Sequence, residues 1–351
     1  MITHFLTSKC NVTVLDILLP SVADRHPSVA YCRGNILSLS DLSSAFSAAA
    51  SSPAGPVHSV VHAASIIPFV GVSDSDVRAV NVGGTANLLS ASMDAGVRSF
   101  VYTSSMSVVL EKGVLFGPSC LNMKEETSPY PKIFEDIYPE TKAAAERLVL
   151  KQNDPSAMAT CVLRPTAIFG PGDRQVSDHY LKGPELPQVV LGDGAAKIDW
   201  VPADCVASAH VLAERGLSEL SVGGRRAAVG GNVYFIGNGE ANTYAWFNGV
   251  PDDPAVKVNH WGHPPPRVLG PGVSALVMGI CHLNVVAHFL TGVVPLPPAM
   301  LPSLLLYCQR DYTCSYAKAE RDFGYKPLFT VREAIVIYKK RYIEKMEKKV
   351  K

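Results

Sequence analysis

The chain has 351 residues, with 32 basic and 31 acidic side chains and a net charge of +1. That balance builds no field for nucleic acid, so no nucleic-acid partner is expected. A hydrophobic content of 47% is high for a soluble enzyme, and the length suffices for one large α/β unit or two lobes.

The eight cysteines, at 10, 32, 120, 161, 205, 281, 308 and 314, are scattered without metal-like pairing. They read as reduced core thiols on the cytosolic side of a membrane, and no metal is expected. At the N-terminus no charged stretch runs into an apolar one, so no secretory signal is read. Residues 2–9 look like the last turns of a helix, and Asn11 to Asp16 is a β-branched strand ending in an acid. Taken alone, Asp16 is a strand-end turn residue or a cap. Tyr31 to Ile36, with Gly34-Asn35, closes a further strand, and Leu39 to Ala50 is an amphipathic helix.

A loop at 51–56 precedes the strand Val57 to Val61, which leaves through His62-Ala63-Ala64-Ser65. Small side chains there admit close approach of a ligand. Asn81 begins a helix running to Ala95; by itself it is an ordinary capping or interior asparagine. Gly96 then leads into a central strand, Val101-Tyr102-Thr103, that ends in Ser104-Ser105. Residues 106–138 are rich in loops, with Glu125, Glu126, Glu135 and Asp136 solvated. Tyr138 and Lys142 follow on a helix, four residues apart and therefore on one face. A cation beside a phenol favours the phenolate, which suits a tyrosine to general acid/base work. A serine from the strand end could bind the same substrate oxygen. Glu140 and Glu146, on the same helix, read as exposed.

Thr160 to Asp173 forms a strand ending at Arg164-Pro165 and then a proline- and glycine-rich loop. Val190 to Gly194, Ile198 to Ala207 and Val233 to Glu240 are further strand-and-turn blocks. From Val268 to Gln309 there is no Asp, Glu, Lys or Arg, and Val273 to Val294 is long enough to span a bilayer. His282, Asn284 and His288 interrupt it. We read the segment as a membrane-contacting helical hairpin, with a buried pocket helix or a true span as alternatives. Thr330 and Glu333 make a capping box for a last helix, which ends in a basic run closing on Lys348-Lys349-Val350-Lys351.

Ser-Ser at a strand end, Tyr138-x-x-x-Lys142, Asn81-x-x-Gly84-Thr85, Leu163-Arg164-Pro165-x-x-Ile168-Phe169-Gly170-Pro171-Gly172-Asp173 and Phe323-Gly324-Tyr325-x-Pro327 together resemble the extended branch of the short-chain dehydrogenase/reductase superfamily. The resemblance implies an α/β fold, a Rossmann-like doubly wound parallel sheet with a smaller C-terminal substrate lobe. It places the dinucleotide domain at 1–175 and most of the substrate lobe at 176–351, with the apolar segment 268–309 and the basic last helix in the latter. The implied catalytic residues are Ser105, Tyr138, Lys142 and Asn81, with Ser105 chosen over Ser104 by family practice. The implied cofactor is NAD rather than NADP, held by Asp16, Asn35, Ala63, Ala64, Tyr138, Lys142 and Pro165.

Three departures stand against that pattern. Asn35 replaces an acid, Pro202 and Ala203 are variants, and the first strand with its Gly-x-x-Gly-x-x-Gly turn has no counterpart. A truncated gene model or a misplaced start codon is the preferred explanation, and a short isoform is the other. The chain as written is therefore expected to be poorly stable and nearly inactive.

Within the branch, the wording from Asp136 to Leu150 and from Thr160 to Asp173 is most similar to the 3β-hydroxysteroid dehydrogenase family, and there to the decarboxylating sterol 4α-carboxylate 3-dehydrogenases. This implies oxidation of a sterol 3β-hydroxyl at the endoplasmic reticulum membrane, with the catalytic part cytosolic and a homodimer allowed. The closing dilysine fits retrieval to that membrane. The alternatives are a dehydrogenase/isomerase, a reductase of a smaller carbonyl or isoprenoid, and a non-catalytic sterol-binding remnant.

Overall fold

In Ser99–Thr103 and Ala159–Pro165 almost every side chain is buried, the signature of strands covered on both faces. The computed structural model describes residues 1–351 except 69–71, 112–119, 174–179, 182–188, 219–223, 254, 271, 278, 281–309 and 351. Strands are numbered in chain order. The first half holds β1 (Val12–Asp16), β2 (Val29–Arg33), β3 (Ser59–His62), β4 (Ser99–Thr103), β5 (Cys120–Met123), β6 (Ala159–Pro165) and β7 (Ala167–Phe169). The second holds β8 (Val189–Leu191), β9 (Lys197–Pro202), β10 (Val233–Ile236), β11 (Ala241–Thr243), β12 (Arg267–Leu269) and β13 (Tyr312–Cys314).

A parallel sheet in the order β10-β6-β4-β3 forms the centre, with Val101 opposite Val61 on one side and Cys161 on the other. Successive side chains leave opposite faces of a strand. Val101, Cys161 and Leu163 therefore pack against the helix Ala203–Leu217, through Cys205, Ala209 and Ala213. Phe100, Tyr102 and Val162 take the other face, against Leu88 and Leu89 of the helix Thr85–Asp94 and Val149 of the helix Ile137–Lys151. Each large side chain buried in this way contributes roughly 1.5–3 kcal/mol. The expected doubly wound α/β arrangement is present.

β1 and β2 pair in parallel as a separate two-stranded sheet, so the expected single sheet is divided between β1 and β3. The two parts meet through side chains. Asn87 donates to the carbonyls of Ile36 and Leu37, at 3.2 and 3.3 Å. Ile36 also enters space that Gly84 leaves open; a Cβ on that glycine would lie 2.5 Å from its Cδ1.

The other lobe has the order β11-β9-β13-β5, with β7 beside β9. β5 lies within the region expected to be loop, and it is held there by pairing with β13 from far along the chain. Aromatic rings fill this lobe: Trp200 stacks on Phe247 with centroids 3.7 Å apart, and Tyr180 on Trp261 at 5.0 Å. They support the last helix, Val331–Val350, whose Thr330–Glu333 capping box forms as expected. Of the apolar segment 268–309, β12 and short helical pieces before 281 are described; His282, Asn284, His288 and the prolines lie outside the described residues. Among the described residues no helix is long and apolar enough to cross a membrane.

Candidate active site

The helix Ile137–Lys151 starts where Asp136 accepts a hydrogen bond from the Tyr138 amide at 2.8 Å. Pro139 falls in the first turn, where a missing N–H is harmless. Alanines 143 and 145 then let the helix lie close on the sheet, both fully buried. Tyr138 and Lys142 are thereby brought to the end of β4, beside Ser105.

Ser105 caps a short turn, Met106–Val109, and its hydroxyl acts on the Tyr138 phenol. Ser104 is buried, and its hydroxyl is among the buried polar atoms with no hydrogen-bond partner. A second serine, Ser65, acts on the phenol from the exit of β3. Burial pushes the phenol up to about 12, the hydroxyls of Ser105 and Ser65 pull it down, and Asp136 raises it further. The expected lowering by Lys142 is not what governs this tyrosine.

Lys142 is only 1% exposed. Its ammonium donates to the Thr103 carbonyl at 2.5 Å and sits 4.4 Å from the centre of the Tyr102 ring. Burial brings it down to about 7, against an upward pull from Glu146. Thr103 is fixed from behind by His210, whose Nε2 lies 2.7 Å from its hydroxyl. The other ring nitrogen of His210 faces the Val206 carbonyl at 2.7 Å, so Thr103 is the donor to Nε2. Beneath the lysine lies His62, 2.9 Å from the Thr85 hydroxyl and brought down to about 3 by burial and then by the charge of Lys142.

Asn81 sits in a π-turn, Ala79–Gly84, a widened turn that recurs at functional sites. Its amide accepts from the Ile66 N–H at 2.8 Å and donates to the Ile66 carbonyl and to Thr141, at 3.0 and 3.1 Å. Thr141 in turn donates to the Tyr138 carbonyl at 2.9 Å. Asn81 thus ties the β3 exit loop, which carries Ser65, to the turn that carries the phenol.

The residues expected to hold the cofactor lie along the carboxyl ends of the strands. Asp16 ends β1 and accepts from the Leu18 amide at 3.0 Å. Asn35 lies with Ile17, Arg33, Gly34 and Asp41 around a cavity of about 370 Å³ beside it. Ala63 and Ala64 are exposed at the exit of β3, and Pro165 is buried at the end of β6. An open row of small residues, ending in a cavity beside a strand-end carboxylate, fits a dinucleotide. The described residues contain no cluster of metal-ligand type.

The sequence reading missed two features. Ser65 was passed over as one of several small residues. Glu146, expected to be exposed, is instead fully buried and paired to Arg164, with Oε2 2.7 Å from Nη2 and Oε1 3.0 Å from Nε. The available signal was spacing, since Glu146 follows the buried Lys142 by four residues. Glu140, by contrast, is half-exposed, paired with Arg78 at 2.8 Å.

A model of the 3-beta hydroxysteroid dehydrogenase/isomerase family matches residues 7–250. A 3 beta-hydroxysteroid dehydrogenase/Delta 5-->4-isomerase of Mycobacterium tuberculosis is 32% identical over 333 residues, covering 90% of this chain and 80% of that one. The decarboxylating sterol-4-alpha-carboxylate 3-dehydrogenase of Saccharomyces cerevisiae is 35% identical over 283 residues, 79% of this chain and 74% of that one. In fold, the chain is similar to a UDP-glucose 4-epimerase of Thermus thermophilus solved with NAD, at a TM-score of 0.65 and 21% identity, covering 97% and 94% of the two chains.

Proposed function

Since the chain belongs to the 3-beta hydroxysteroid dehydrogenase/isomerase family, we propose that it oxidises the 3β-hydroxyl of a sterol with NAD, and that the sterol carries a 4α-carboxylate. The observation that carries this reading is the Tyr138 phenol set one helical turn before the buried Lys142, whose ammonium is anchored on the Thr103 carbonyl at the end of β4. NAD, when bound, accepts the hydride from C3. Asp16 and Asn35 would hold its adenosine end, and Ala63, Ala64 and Pro165 would border the rest.

Tyr138 takes the proton of the 3-hydroxyl, while Ser105 holds the same oxygen in line. Oxidation turns a 4α-carboxylate into a β-keto acid, which loses carbon dioxide because the adjacent ketone accepts the electrons as an enolate. The apolar segment supports a site of action at the endoplasmic reticulum membrane, with the catalytic part cytosolic. Three side chains within that segment, Val273, Leu276 and Ile280, are exposed. Homodimerisation belongs to the same reading.

A second reading, oxidation followed by double-bond migration, is favoured by the similarity to the mycobacterial dehydrogenase/isomerase. Incubation with NAD and a 4α-carboxy-3β-hydroxysterol should yield NADH and a 3-ketone one carbon shorter. Incubation with a 3β-hydroxy-5-ene steroid separates the two readings: a conjugated enone as the only product would move the assignment to the isomerase. Measured NAD binding with NADH from neither substrate would remove both.

A further inference from the structure

The helix Ile137–Lys151 carries one more ionisable group into the core, a turn past the lysine. Glu146 lies about 6 Å further along the helix axis than Lys142, on the same face. Neither side chain reaches solvent. A carboxylate in such a place needs every lone pair satisfied. Arg164 supplies two donors from β6, and the Tyr130 hydroxyl donates a third at 2.6 Å. Rings enclose the guanidinium, with its carbon 5.3 Å from the centre of Tyr130 and 5.5 Å from that of Phe235.

We propose that Glu146 is a positioning residue for the Lys142 ammonium: held by Arg164 and Tyr130, its carboxylate keeps the buried lysine charged beneath Tyr138. The surrounding groups bring no second anion to the ammonium, and one cation, Arg164, which the carboxylate binds directly. From β3 comes His62, kept neutral by burial, and from β4 come the Tyr102 phenol, driven well above its ordinary range, and the Thr103 carbonyl. The helix Thr85–Asp94 contributes the Thr85 hydroxyl, β6 contributes Arg164, and the lysine's own helix contributes Tyr138 and Glu146, with Asp136 at its cap acting on Tyr138. Among these groups Glu146 is the one anion that acts on Lys142. Both Lys142 and Glu146 act on Tyr102, the lysine over its ring and the carboxylate on its phenol. Removing the carboxylate leaves only the Thr103 carbonyl and the Tyr102 ring to oppose burial, and a neutral amine gives a developing phenolate no support.

This inference rests on the dehydrogenase reading for its catalytic meaning, but its test does not. Protein with 13C at the lysine ε-carbons is titrated by NMR, with Lys142 assigned by the signal lost in Lys142→Met. The expected result is that Glu146→Gln moves the Lys142 inflection down by at least one pH unit, while Glu146→Asp moves it less. Glu146→Gln alone strands Arg164, so the decisive variant is Glu146→Gln with Arg164→Met, which removes both charges. If Glu146 served only to pair Arg164, the double variant would titrate like the parent, and that overturns the proposal. Failure of the double variant to fold would also overturn it, assigning both charges to the fold. In turnover assays the alkaline limb of kcat/KM should move down in the same variants. An enzyme that binds NAD but turns over no sterol would refute the dehydrogenase reading and leave the titration to decide the role of Glu146.

Discussion

Lys142 gives its shortest hydrogen bond, 2.5 Å, to the carbonyl of Thr103 rather than to a side chain. That carbonyl ends the central strand, and His210 fixes the same residue from the opposite side of the sheet. The ammonium is therefore held by the backbone of β4, and the phenol one turn earlier is adjusted by two serines. Charge placement and proton handling are divided between different elements of the fold.

Replacing Tyr138 by Phe removes the phenol on which the Ser105 and Ser65 hydroxyls act. Turnover with a sterol should fall by at least ~10²–10⁴, the usual worth of a general acid/base. NAD affinity, measured by fluorescence titration, should stay within a few fold. Wild-type turnover in this variant would remove Tyr138 from the mechanism.

The two serines act in the same direction on the phenol, since each hydroxyl pulls it down. Oxidation needs the phenolate, so Ser65→Ala or Ser105→Ala should displace the rising limb of kcat/KM toward higher pH. Ser105→Ala should also lower kcat by about tenfold or more, because the substrate oxygen loses a donor. Ser65→Ala should move the limb with a smaller loss at its plateau. Identical profiles in all three proteins would contradict the arrangement.

His62 and His210 are both held neutral by burial, at about 3 and about 4. Below about pH 6.5 the unfolded chain takes up protons that the folded chain refuses, so the unfolded state binds more of them. Stability from these groups is present above about 6.5 and is lost as pH falls toward their folded values. Each histidine costs about 1.4 kcal/mol per pH unit across that window. Urea midpoints between pH 7 and 4 should fall less steeply in His62→Gln than in the parent.

Gly237 presses on Asp199, whose Oδ2 would collide with any added Cβ. Asp199 is buried and accepts from the Asn238 amide at 2.8 Å. Gly237→Ala should therefore displace that carboxyl and cost about 1–3 kcal/mol, read as a fall in Tm. An unchanged Tm would show that the carboxyl moves freely.

Much of this architecture was legible in the residues because period and composition carry it. The β-branched runs at Val12–Asp16 and Ala159–Pro165 are strands, and Asp136 followed by Tyr138, Lys142 and three alanines is a helix laid on a sheet. Tyr138, Lys142 and Ser105 meet because strand end and helix start are fixed by those patterns. Glu146 was misread because a lone glutamate on a helix is usually solvated, and its burial depends on Arg164 arriving from another strand. Ser65 was missed for a similar reason: its contact with the phenol is created by Asn81 bridging two loops, and local sequence does not encode that. β5 was hidden because its partner, β13, is remote in the chain.

The division between β1 and β3 bears on how the molecule breathes. The pair β1–β2 is joined to the main sheet through side chains, Leu15, Ile36, Leu42 and Asn87 among them, not by a ladder of backbone bonds. A unit that shares no backbone bonds with its neighbour can open at a free energy below that of the whole. Amide protons of Val12–Asp16 should exchange with deuterium well before those of Ala159–Pro165. A single melting temperature would then describe the central sheet alone, while the unit carrying Asp16 detaches and re-docks at temperatures where the rest stays folded.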